Sequence, residues 1–106
     1  MRHYLQVFTT TGKREDAEKI AQTLVRRKLA ACVQIIAKIS STYRWKGKVK
    51  MAQEWLCLIK SKSSLYEELE RTIKEIHPYE IPEIVAVPIM AGSREYLEWL
   101  DQGLQA

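Results

Sequence analysis

The run Gln53-Glu54-Trp55-Leu56-Cys57-Leu58-Ile59-Lys60 decides how this chain folds. A strand turns successive side chains to opposite faces, so Leu56 and Leu58 share one face, and Trp55, Cys57 and Ile59 share the other. Both faces are apolar. Such a strand belongs to a sheet that is covered on both sides. If the chain's own helices lie on one side only, the second face needs cover from elsewhere, and another subunit is the expected source.

The neighbouring segments supply the rest of that sheet. Ser41 to Trp45 is extended, with Tyr43 and Trp45 on one face, and Lys46-Gly47-Lys48 makes the turn that follows. Leu29 to Ile36 is almost wholly apolar and partly β-branched, so it reads as another strand covered on both faces. Leu5-Gln6-Val7-Phe8 starts the chain as a strand, extended by Thr9-Thr10-Thr11 and broken at Gly12. Between these lies a helix. Ala17, Ile20, Ala21, Leu24, Val25 and Lys28 fall on one face at helical spacing. Glu15 and Asp16 in the first turn and Arg26-Arg27-Lys28 in the last suit its dipole.

Beyond the central run, Ser64-Leu65-Tyr66-Glu67 has the form of a capping box. The helix it starts carries Leu65, Leu69, Thr72, Ile73 and Ile76 on one stripe and is stopped by Pro78. A stiff connection, His77-Pro78-Tyr79-Glu80-Ile81-Pro82, leads to a strand at Ile84-Val85-Ala86-Val87. Ser93 can then cap a third helix bearing Leu97, Leu100 and Leu104, with Tyr96 and Trp99 beside them. The order is β-α-β-β-α-β-α. That is an α+β, ferredoxin-like βαββαβ sandwich with an added C-terminal helix, in one domain over residues 1–106.

Bulk properties agree with that plan. The 106 residues, 46% hydrophobic and 28% charged, can bury a core without disulfide or metal. No apolar run approaches a membrane span, and the N-terminus has no secretory pattern, so a cytoplasmic protein with no membrane partner is expected. Cys32 and Cys57 lie in apolar runs without paired spacing and read as buried free thiols. The net charge of +4 is spread among thirteen acids and does not imply a nucleic-acid partner.

The ferredoxin-like plan hosts many functions, so side chains must choose among them. An RNA-recognition module needs stacking aromatics after Gly47, where this chain has Lys48-Val49-Lys50-Met51. A soft-metal carrier needs a thiol pair after the first strand, where this chain has three threonines. Thr11-Gly12-Lys13 has one glycine and is not a phosphate-binding loop. No nucleophile–base pair stands out, so no enzyme is expected. His77 reads either as a helix-terminal histidine serving the last carbonyls or as a metal ligand. Cys32 reads as a core thiol or, if it faces a cleft, as a sulfur ligand. Tyr43 and Trp45 suit strand packing or an interface.

Five segments in order resemble one family. They are Leu29-Ala30-Ala31-Cys32-Val33; Ser41-Thr42-Tyr43-Arg44-Trp45-Lys46-Gly47; Glu54 with Leu56 and Lys60; His77 to Ile84; and Tyr96-Leu97-Glu98-Trp99-Leu100. Together they are similar to the CutA divalent-cation tolerance proteins over nearly the whole chain. The resemblance implies a homotrimer with PII-like architecture, its sheets meeting at the centre. It implies that the arm from Tyr43 to Lys50 reaches a neighbouring subunit, with Tyr43, Trp45 and Trp55 as trimer contacts. It further implies binding of divalent metal ions, Cu2+ first and Zn2+ less specifically, and a part in heavy-metal tolerance. Mammalian relatives are connected instead with acetylcholinesterase assembly. Some bacterial members carry a Cys where this chain has Thr9, and a His-His-Pro stretch where it has Ile76-His77-Pro78. Only His77 matches, so His77, with Cys32, is the expected metal donor set. The alternative is a PII-like small-molecule sensor with Lys60, Tyr79 and Trp99 lining an intersubunit cleft, or a scaffold for a partner protein.

Overall fold

The computed structural model describes residues 3–106. Its elements are β1 (Tyr4–Thr11), α1 (Arg14–Arg26), β2 (Cys32–Trp45), β3 (Lys48–Lys62), α2 (Tyr66–Ile76), β4 (Val85–Pro88) and α3 (Arg94–Gln102). The strands form one antiparallel sheet in the order β2-β3-β1-β4. This is the ferredoxin-like arrangement expected from the element order.

The sheet has two unlike faces. Val7, Cys57 and Ile59 point to one side, where they meet Ala17, Ile20 and Leu24 of α1 and Leu69 and Ile73 of α2. All of these are essentially inaccessible to solvent. The Trp55-Cys57-Ile59 face of the central run is therefore the one the helices cover. The opposite face holds Phe8 of β1, Ile36 of β2, Leu56 and Leu58 of β3, and Val85 of β4, as the strand registers show. Ile36 and Val85 keep 44% and 51% of their surface in solvent, so no element of the chain covers this face at that point. α3 covers its far end only. Asp101 reaches Lys62 at 3.6 Å, and Leu100 is fully buried.

Three local expectations change. Leu29 to Ile36 and Ser41 to Trp45 are halves of one long strand, and that strand starts at Cys32 because Leu29 and Ala30 still bond to the carbonyl of Leu24. Its register with β3 slips by one residue between Ile36 and Ile39. The extra residue is a bulge, and it exchanges the faces of everything after it. Tyr43 and Trp45 therefore share the uncovered face with Cys32, Gln34 and Ile36. The capping box does not form. Ser63–Leu65 is a 3-10 turn, and α2 starts at Tyr66 without a side-chain cap. The backbone N–H of Ser63 donates to the His3 carbonyl at 2.8 Å, which holds Ser64 inside the turn rather than before the helix. Ser93 does cap α3, its hydroxyl accepting from the Tyr96 N–H at 3.2 Å.

Both cysteines are free. Cys57 is buried as expected, but Cys32 is only half-buried, on the face that the helices leave open. Burial pushes the Cys57 thiol from 9.0 up to about 11. Between those values the native state keeps a proton that the unfolded chain has lost. The contribution is full below pH 9 and is lost as pH rises through 11, a fall of about 3 kcal/mol. Urea unfolding at pH 8 and at pH 10.5 should show about 2 kcal/mol of this fall in the wild type and a shallower one in Cys57→Ala.

Candidate functional site

The connection after α2 folds back over the end of β1. Pro78 cannot continue the helix, and the chain leaves it extended at His77 (φ −78°, ψ 134°). This turn carries the His77 ring toward β1, away from the last carbonyls of α2. Nε2 lies 2.8 Å from the Thr10 carbonyl, and the Tyr79 N–H donates to Nδ1 at 3.1 Å. Only the tautomer with hydrogen on Nε2 satisfies both contacts, since a carbonyl must accept and an amide N–H must donate. The ring is buried and sits 4.8 Å from the Tyr79 ring, centre to centre. Both nitrogens are engaged within the chain, so His77 acts as a clasp between β1 and the connection.

That clasp aims Tyr79. Its hydroxyl donates to Glu54 Oε2 at 2.6 Å. The fit is close, because a Cβ added at Gly12 would stand 3.1 Å from the Tyr79 hydroxyl oxygen. Burial first, and then the Glu54 carboxylate, raise the Tyr79 phenol far above its ordinary range, so it remains a donor. Glu54 itself is only 7% exposed. Among the described residues no cation lies within ion-pair distance of it.

Around this pair opens a groove of about 820 Å³ between the β2–β3 arm and the 78–83 connection. Tyr43 and Trp45 line one wall, with Lys50 near them; Glu80 and Glu83 stand on the other. The groove lies within the size range of small-ligand sites, which are typically about 300–1,000 Å³.

The residues expected to act together separate in one chain. Cys32 pairs across β3 with Lys60, which pairs in turn with Gln6, whereas His77 contacts Thr10. Four residues of strand part the two sites, about 13 Å. Among the described residues no group of three or more His, Cys, Asp or Glu side chains could hold a metal ion. A single chain thus does not fit a metal centre built on His77 and Cys32. Thr9, standing where some relatives carry a thiol, points into the helix-side core opposite Cys57. Lys60 donates to Gln34 Oε1 at 2.6 Å, and Trp99 stacks on Tyr96 at 5.7 Å, both remote from Tyr79. Trp55 turns to the helix side, with the Lys38 ammonium 5.5 Å from its ring centre. Glu54 as partner of Tyr79 was beyond sequence reasoning, although an acid inside an otherwise apolar strand was its signal.

A family model for the CutA1 divalent ion tolerance protein matches residues 5–103. The divalent-cation tolerance protein CutA of Thermus thermophilus is 47% identical over 94 residues, 89% of this chain and 91% of the relative. Protein CutA of Homo sapiens is 41% identical over 95 residues, 90% of this chain, but the chain spans only 53% of that longer protein. The solved Cut A1 structure from Thermus thermophilus superposes with a TM-score of 0.94 at 43% identity, covering 96% of this chain and 99% of the other. With the sheet order and the five sequence segments above, these matches establish that the chain belongs to the CutA1 divalent ion tolerance family.

Proposed function

We propose that this protein is a non-catalytic binding protein of the divalent-cation tolerance response, working in the cytosol as a homotrimer that takes up divalent cations. The observation that carries the assembly is the uncovered sheet face. Phe8, Ile36, Leu56, Leu58, Val85 and Val87 make an apolar surface that soluble monomers rarely leave in water. Further copies packed sheet to sheet would remove it from solvent. Because one chain lacks a donor cluster, the cation would be held by groups brought together in the assembly. Nitrogen and oxygen donors favour Cu2+ over Zn2+ by the ordinary affinity order, and a His77 donor would first have to release the Tyr79 N–H from Nδ1.

Native mass spectrometry of metal-free protein, then titrated with Cu2+ and Zn2+, tests this reading. The expected result is a species of three chain masses that takes up Cu2+ in fixed stoichiometry. A monomer would overturn the assembly. A trimer indifferent to both metals would overturn cation binding. Parallel titrations of His77→Ala and Cys32→Ser decide whether either side chain is a donor.

A second reading, small-molecule sensing, is favoured by the groove beside Glu54. Its volume falls within the range of small-ligand sites, and its lining mixes aromatic and acidic groups.

A further inference from the structure

We draw no further inference here: the strongest candidate, the groove beside Glu54 between the β2–β3 arm and the 78–83 connection, lies on the sheet face that the proposed assembly covers, and nothing in the structure shows what fills it there.

Discussion

Ile59→Ala is expected to cost about 4 kcal/mol in stability, the largest loss of any single truncation in the sheet. Ile59 sits in the middle of β3, the strand flanked on both sides within the sheet. It pairs with Val7 of β1 and Val33 of β2, on the side that faces both helices. None of its surface reaches solvent. Removing its branched chain loses the transfer energy of the buried methyl and methylene groups. It also leaves a void, since the neighbours are fixed by backbone pairing and cannot collapse inward. Ile59→Val, which removes one methylene, should cost only about 1 kcal/mol. Denaturant unfolding at one fixed protein concentration checks both, because self-association adds a concentration-dependent term. A loss below about 1.5 kcal/mol for the alanine variant would show that the core can close around the gap.

His77→Ala should cost about 3 kcal/mol, for a different reason. The side chain is small for a core residue, but it satisfies two backbone groups. Without the ring, the Thr10 carbonyl and the Tyr79 N–H lose their partners. A backbone group left unpaired on burial costs about 1–3 kcal/mol. The two replacements that keep one contact each should fall between. Asn can still accept from the N–H two residues on, as in an Asx turn, while Gln can reach toward Thr10 with its N–H. The expected order of stability is wild type, then Gln and Asn together, then Ala. Loss of the clasp should also release Tyr79 from Glu54, visible as a change at the Tyr79 resonances. Equal stability of the Ala, Asn and Gln variants would mean that packing, not hydrogen bonding, is what the ring supplies.

Most of the fold was legible because it rests on period. The α1 stripe of Ala17, Ile20 and Leu24 is buried as its spacing predicts. The central run is a strand, and Ser93 caps α3. Where sequence reasoning missed, the cause was a contact between distant segments. Ser64 had the right local chemistry for a cap, but the Ser63 bond to His3 places it in a 3-10 turn. His77 was singled out beside Pro78, but its partner in the chain is not the last carbonyls of α2. Its ring bonds to Thr10, 67 residues earlier in the chain. No local pattern announces such a contact, because a histidine carries the same signal whether it caps a helix, holds a metal or clasps a strand.

The sequence by itself determined the elements, their order, and the need to cover both faces of the central strand, because side-chain alternation and helical spacing are properties of the local backbone. Which face the helices would take was decided only in three dimensions. They chose Trp55, Cys57 and Ile59, leaving Leu56 and Leu58 on the open side. The bulge between Ile36 and Ile39 was likewise invisible, though it sends Tyr43 and Trp45 to that open side. The Glu54–Tyr79 bond belongs to the same class. Each depends on the register between strands or on a loop folding back over a sheet, and register is set by the sum of all contacts across the pair rather than by either strand alone.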